Sequence, residues 1–271
     1  MNIAVTGASR GLGFEIAKKF VQEGHNVAIC SRKLDEIKKA KNKLSHFKLT
    51  ENQKIFAWMV DVKIEDEIRF FISEVIGCFG SIDVSINNAG IYGPFGNIEN
   101  TNSQDWEQCI KTNLLGPYCF MKHVIPHMKE NQYGKIINIA GGGATQPMPF
   151  ISAYAASKTA LVRLSESIAE EVKDYNIDVN CVSPGLLDTN MYQQVLDAGP
   201  EKVGKEFYEK ITKKEKTPLS SGAELCYWLA SKASDGVTGR LISAAWDDYM
   251  NPVFKTILKQ DKDLYTLRRK V

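Results

Sequence analysis

Short runs of β-branched and other apolar residues alternate with segments of helical period along most of this chain. Ile3-Ala4-Val5 predicts a first strand, and apolar positions three and four apart predict a helix over Leu12–Glu23. Asn26–Cys30 predicts a second strand, and Lys33–Leu49 a lysine-rich amphipathic helix. The alternation continues with strand Ile55–Val60, helix Ile64–Cys78 and strand Ile82–Ile86. A long helical region from Gln104 to Lys129 precedes strand Lys135–Ile139, and helix Ser152–Asp174 precedes strand Asp178–Val182. This order predicts an α/β protein with a doubly wound parallel sheet covered by helices on both faces, in three layers.

The regularity lapses after Pro184-Gly185. Residues 186–218 carry charges, Gly199-Pro200 and a lysine cluster, and read as a loop-and-helix insertion over the sheet edge. Ser221–Ser231 predicts a short helix and Val237–Ser243 a last strand. No repeat, low-complexity tract or Gly/Ser linker interrupts the chain, so a single domain over residues 1–243 is expected. Residues 244–271 are expected to extend past it and pack on the same domain.

Composition narrows the function classes. The 271 residues carry 34 basic and 32 acidic side chains, a net charge of +2, which gives no reason to expect nucleic acid or a membrane surface as partner. Six cysteines (Cys30, Cys78, Cys109, Cys119, Cys181, Cys226) form no C-x-x-C pair and no metal-ligand spacing. Most sit in apolar stretches, where a reduced thiol behaves as a small hydrophobe. Met1–Thr6 already reads as a strand, so no signal peptide is expected, and no run approaches the roughly 18 apolar residues of a membrane span. A cytoplasmic location is the expectation.

The candidate chemistry starts directly after the first strand, where "VTGASRGLGFEIA" opens the first helix. Glycines 7, 11 and 13 allow a tight turn and let backbone N–H groups approach a pyrophosphate, beside the partial positive charge of a helix N-terminus. A glycine-rich turn with no ligand is the plainer alternative. An acidic residue at the end of the second strand of a dinucleotide fold binds the ribose hydroxyls and repels a 2′-phosphate. Here that strand ends Ser31, Arg32, Lys33, and Arg10 in the glycine loop should face the same pocket. Arg10 and Arg32 therefore argue for NADP(H) over NAD(H), unless both are solvated surface arginines.

Tyr154 and Lys158 are one helical turn apart and share a face. A free tyrosine titrates near 10, and a nearby ammonium favours the phenolate. The T-G-x-x-x-G-x-G spacing, Asn87-Asn88-Ala89-Gly90 after the fourth strand, and Tyr154 four residues before Lys158 together resemble the short-chain dehydrogenase/reductase family, from about Asn2 to Ser243. The resemblance implies a Rossmann fold and interconversion of a carbonyl and a secondary alcohol. It implies Tyr154 as proton donor and Lys158 on the nicotinamide ribose, with Asn113 in "KTNLLG" positioning a relay water. It assigns Gly7, Ser9, Arg10, Gly11, Leu12 and Gly13 to the cofactor phosphates, and Ser31 and Arg32 to the adenosine ribose. Asp61 and Val62 fall at the adenine, although Asp61 is equally a turn residue. Asn88, Ala89 and Gly90 are also assigned to the cofactor. "CVSPGLLDTN" matches the P-G-x-x-x-T element, in which Pro184 and Gly185 lie beneath the nicotinamide, Leu187 reaches its carboxamide, and Thr189 the amide or phosphates. A homo-oligomer, dimer or tetramer, built through Gln104–Lys129 and Ser152–Asp174 is implied as well.

The chain departs from the family at the serine. Relatives read N-I-S-S after the fifth strand, with the catalytic serine thirteen residues before the tyrosine; here that position is Gly141, preceded by Ala140. Losing one donor to a developing oxyanion typically costs about 10²–10³ in rate. Three explanations compete: another donor from Gly142, Gly143 or the Thr145 hydroxyl; a hydroxyl supplied by the substrate; or a nucleotide-binding protein without turnover. Retention of Tyr154, Lys158 and Asn113 favours a working enzyme whose oxyanion contact has changed, with Gly141, Gly142 and Thr145 facing the substrate. A family member catalysing dehydration or epimerisation, or a catalytically weak NADP-binding protein, are the rival readings. His123 and His127 are four apart, but nothing completes a metal site. Trp246 lines the pocket or packs under the tail, and Arg268, Arg269 and Lys270 read as a solvated end.

Overall fold

The computed structural model describes residues 1–269, so Lys270 lies outside the described residues. Seven strands form one parallel sheet: β1 (Asn2–Thr6), β2 (Asn26–Ser31), β3 (Ile55–Met59), β4 (Val84–Asn87), β5 (Gly134–Ile139), β6 (Ile177–Ser183) and β7 (Leu241–Ser243). Their order in the sheet is β3-β2-β1-β4-β5-β6-β7. Alternation along each strand sends side chains to two separate cores. Ile3 and Val5 of β1 face a cluster made with α1 (Gly11–Gln22), α2 (Leu34–Ser45) and α10 (Leu219–Ala230), where Phe20, Leu44 and Leu229 are buried. Ala4 and Ala28 face the other core, where α3 (Glu65–Phe79), α5 (Gly116–Glu130) and α6 (Ser152–Val172) bury Phe71, Phe120 and Val172. Both faces being covered explains why the strands read as continuous apolar runs.

Several boundaries differ from expectation. The lysine-rich helix α2 ends at Ser45, because Phe47 and His46 turn back on Leu44 and Lys43. The long region from Gln104 is two helices, α4 (Ser103–Ile110) and α5, joined by a π turn over Lys111–Leu115. Single π turns inside helices mark functional sites more often than chance. The last strand begins at Leu241 rather than Val237, since Gly239 donates to Val179 O and the chain swings onto the sheet only at Arg240.

The insertion holds three short helices, α7 (Asn190–Ala198), α8 (Pro200–Val203) and α9 (Lys205–Lys213), gathered on Val195, Val203 and Ile211. Its neck is closed: Thr217 N donates to Leu186 O at 2.7 Å, and Lys216 pairs with Asp188 at 3.0 Å. The tail carries α11 (Pro252–Gln260) and then runs along the β7 edge, where Leu241 N donates to Tyr265 O at 2.8 Å. Arg240, 8% exposed, anchors it by donating to the carbonyls of Leu258, Lys262 and Leu264 at 2.6–2.7 Å. No helix among the described residues is long and apolar enough to cross a membrane. All six cysteines are free, and five are buried.

Candidate active site

The sheet order reverses direction between β1 and β4, and in open α/β sheets the ligand crevice lies at the carboxyl ends of such strands. The glycine loop sits there. Gly7 has φ +64° and packs so closely that an added Cβ would come within 2.9 Å of Ala89 Cα. Gly13 allows helix α1 to abut Gly7 O, which a Cβ would meet at 2.5 Å. Thr6 Oγ1 accepts from the backbone N–H of both Asn88 and Ala89 at 3.0 Å, and Asn88 Nδ2 donates to Thr6 O and Gly7 O. The Asn88 amide thus holds the loop from beneath. Thr189 caps α7 against Gly11, where its methyl is 3.5 Å from where a Cβ would stand. Leu12 lies under Gly222 of α10, and Leu187 packs against the same core. This tightly packed turn, possible only because Gly7 and Gly13 lack side chains, lies at the N-terminus of α1 and fits the diphosphate of a dinucleotide.

Arg10 Nη1 donates to Glu36 of α2 at 3.2 Å, Lys33 pairs with the same carboxylate at 3.0 Å, and Ser9 Oγ donates at 3.4 Å. Of the two arginines expected around a 2′-phosphate, Arg10 therefore meets an anion, the Glu36 carboxylate that the sequence pattern did not single out, together with Lys33 and Ser9. Arg32 is exposed, and Ser31 Oγ donates to Lys33 O at 3.4 Å. Asp61 forms a turn by accepting from Lys63 N at 3.1 Å, and Val62 is buried against Gly116.

Lys158 is 4% exposed and donates Nζ to Ile139 O at 2.7 Å. Burial pulls its ammonium down to about 8. Burial likewise pushes the Tyr154 phenol above its ordinary range, with Tyr92 and Cys109 adding to the effect. The expected lowering of Tyr154 by Lys158 does not occur in this geometry: Nζ is directed at a carbonyl and stands 5.8 Å from the phenol ring centre. Desolvation wins, and the phenol keeps its proton. Asn113, on the π turn, is fully buried and clasps the backbone of Ile91 through Nδ2 to O (2.8 Å) and Oδ1 from N (2.9 Å), with Ser157 Oγ at 3.0 Å. Gly90 lies between Asn113 and Lys158, 3.4 and 3.5 Å from a notional Cβ.

Tyr154 opens onto a cavity of about 850 Å³ that Gly141, Gly142, Thr145, Pro184 and Gly185 also line. At Gly141 the Tyr154 hydroxyl lies 2.5 Å from where a Cβ would be, so the phenol fills the space of the absent side chain. Thr145 is exposed at the outer end of a turn over Gly142–Ala144. Tyr92, in the 91–98 stretch expected to build the pocket, lines the same cavity, as do Ser183, Asp247 and Tyr265, which the sequence reading did not single out. Tyr92 sits 4.9 Å from Tyr154, ring centre to ring centre. The two-residue period of β6 was a usable signal for Ser183, since it shares a face with Cys181. Trp246, 72% exposed, lies on the rim with Lys214 Nζ 4.5 Å above its ring. His123 pairs with Glu65 at 2.9 Å, on the α3–α5 surface.

A sequence model of the short chain dehydrogenases matches residues 1–199. An uncharacterized oxidoreductase, YxjF, of Bacillus subtilis (strain 168) is 32% identical over 249 residues, covering 88% of this chain and 94% of the relative. The 3-oxoacyl-(acyl-carrier-protein) reductase FabG of Chlamydia trachomatis is 32% identical, covering 88% and 93%. The crystal structure of YwfH, an NADPH-dependent reductase involved in bacilysin biosynthesis, superposes with a TM-score of 0.80 at 27% identity, covering 90% of this chain and 96% of that one. With a dinucleotide cradle at the β1/β4 reversal and a tyrosine–lysine pair over the adjoining cavity, the chain belongs to the short-chain dehydrogenase/reductase family and is an NAD(P)-dependent oxidoreductase working between carbonyls and alcohols.

Proposed function

We propose that this enzyme uses NADP(H) to interconvert a ketone or aldehyde and its alcohol, with Tyr154 as the proton donor in reduction. The observation that carries the reading is the Tyr154 phenol, held protonated by burial at the wall of a cavity beside Lys158. A bound nicotinamide supplies the hydride. Tyr154 gives its proton to the substrate oxygen as charge develops there, and Lys158, one helical turn away, is the residue placed to hold the ribose. Asn113 keeps the Asn88–Ile91 loop and Lys158 in fixed relation through its clasp on Ile91. The cofactor preference rests on Arg10, Lys33 and Ser9 around one anion position, with Arg32 adjacent.

The cavity also favours a class of substrate. On its α9 wall Phe207 and Ile211 are apolar, while Lys205, Lys210 and Lys214 have no carboxylate partner among the described residues. Nearby Lys213 and Lys216, which do not line it, pair with Glu209 and Asp188. The substrate is accordingly a carbonyl on an apolar frame with an anionic group at its far end. Self-association uses the α4–α5 and α6 helices, beside which Leu115 and Tyr118 stand exposed.

The test is consumption of NADPH over a panel of ketones and aldehydes by wild type and Tyr154→Phe. Wild-type turnover with the phenylalanine variant reduced at least a thousandfold is expected. Undiminished turnover in Tyr154→Phe removes the assignment.

A further inference from the structure

The missing serine leaves the substrate oxygen without its second hydrogen-bond donor, and position 141 cannot host one while the Tyr154 hydroxyl occupies its side-chain space. Register shows where a replacement sits. β5 and β6 pair Asn138 with Cys181 and Ile139 with Val182, and Ala140 N donates to Val182 O at 2.8 Å. One step further, Ser183 stands beside Ala140 at the carboxyl edge of the sheet. Side chains on a strand repeat their direction every second residue. Cys181 packs with Ala140, Ala144 and Val162 toward α6, so Ser183 projects to that same face, where Tyr154 is carried.

We infer that Ser183 donates the hydrogen bond that orients the substrate carbonyl beside Tyr154, replacing the hydroxyl lost at Gly141. This rests on the reading of Tyr154 as proton donor. Ser183 lines the cavity together with Tyr154 and Gly141, and its hydroxyl has no hydrogen-bond partner among the described residues. Of the serine and threonine hydroxyls nearby, two are engaged and one is displaced, while the phenol of Tyr92 belongs to a ring packed on Tyr154 itself. Ser157 Oγ donates to Tyr154 O at 2.7 Å, Thr159 Oγ1 to Gly143 O at 3.2 Å, and Thr145 is out at the exposed rim. Ser243, paired with Ser183 across β6 and β7, has its oxygen held against the Ala245 backbone, whose N–H donates to it at 3.2 Å. In the reduction the carbonyl carbon gains the hydride and its oxygen gains the Tyr154 proton. Ser183 keeps its own proton and only donates a hydrogen bond, which strengthens as the oxygen becomes anionic.

The experiment uses the full-length protein and two readouts. In steady state, Ser183→Ala is expected to lower kcat/KM for the best ketone of the panel about a hundredfold, the typical effect of one oxyanion donor. The NADPH dissociation constant and melting temperature should stay at wild-type values. Ser183→Thr should keep most of the activity. Without cofactor or turnover, the infrared C=O stretch of bound acetophenone should shift to lower frequency in wild type and Ser183→Thr, and give back part of that shift in Ser183→Ala, the remainder belonging to Tyr154. Should the alanine variant melt early, Ser183→Cys carries the same comparison with a weaker donor. An unshifted stretch in wild type, or Ser183→Ala within threefold of wild type while Tyr154→Phe is inactive, overturns the inference. If Tyr154→Phe stays active, the proton-donor reading fails instead, and the infrared comparison judges the Ser183 contact by itself.

Discussion

Lys158 hands a hydrogen of its ammonium to the carbonyl of Ile139, 2.7 Å away, at the point where β5 ends and the glycine turn begins. Among the described residues no carboxylate compensates this buried charge; burial is the first cause of its depression to about 8. A depressed lysine loses its proton earlier than usual as pH rises. Since kcat/KM reports the free enzyme, kcat/KM for NADPH should be level below pH 7 and fall as pH passes about 8. A profile that is flat or rising to pH 9.5 would show that the Lys158 charge is not needed for cofactor capture.

The carboxylate of Glu36, gripped by Arg10 and Lys33, predicts cofactor behaviour. A hydrogen bond to a charged group is worth about 2 kcal/mol, roughly thirtyfold in binding. Arg10→Ala should therefore raise the KM for NADPH by about that factor and change that for NADH less than threefold. Glu36→Gln should tighten NADPH severalfold by freeing its two cations. Equal losses for both cofactors in Arg10→Ala would point to loop damage rather than phosphate recognition.

The lysine wall predicts a salt response. For a ketone bearing a terminal carboxylate or phosphate, Lys210→Ala/Lys214→Ala should raise KM about tenfold, while the neutral parent ketone is unaffected. Added salt should weaken the anionic substrate alone, because exposed charges are screened within about 10 Å at 0.1 M. Identical salt curves for the two substrates would remove the anion from the substrate description.

At the opposite end of the sheet, Lys135 is 2% exposed and lies between Asp178 and Asp235 at 2.6 and 2.7 Å. Burial alone would lower its pKa, but the two carboxylates outweigh it and hold the lysine above its usual value. Removing one member of a buried ion pair costs about 3–5 kcal/mol. Lys135→Ala should cost about 3 kcal/mol in urea unfolding, with kcat unchanged because Tyr154 is at the other edge of β5. A loss below 1 kcal/mol would mean that the carboxylates find solvent.

Arg240 binds three tail carbonyls, and the tail brings Tyr265 to the cavity wall. Arg240→Ala should free residues 261–269 for limited proteolysis and raise the substrate KM, leaving the NADPH dissociation constant as it was. Proteolysis at the wild-type rate would show that the Glu166 contact with Leu267 N at 2.7 Å suffices to hold the tail.

Much of the architecture was legible along the chain because its signals are local. Ile3, Val5, Val27 and Ile29 announce strands through their own branching, and α1 and α6 through residues three and four apart. The glycine loop and the Tyr154–Lys158 pair are legible for the same reason, since a turn and a helical face are built from near neighbours. The break at Lys111–Leu115 was not read, although Gly116-Pro117 directly after it is a local interruption signal.

What the sequence by itself determined, then, is the alternating α/β order, the glycine turn after the first strand and the presence of a tyrosine and lysine on one helical face. Tertiary structure alone decided that Lys158 turns to Ile139 rather than the phenol, that Glu36 meets Arg10, that Arg240 gathers the tail, and that Ser183 stands beside Ala140. Each of these joins positions distant in the chain. Their meeting depends on strand register and on which helix covers which face, and those are settled only when both cores pack at once.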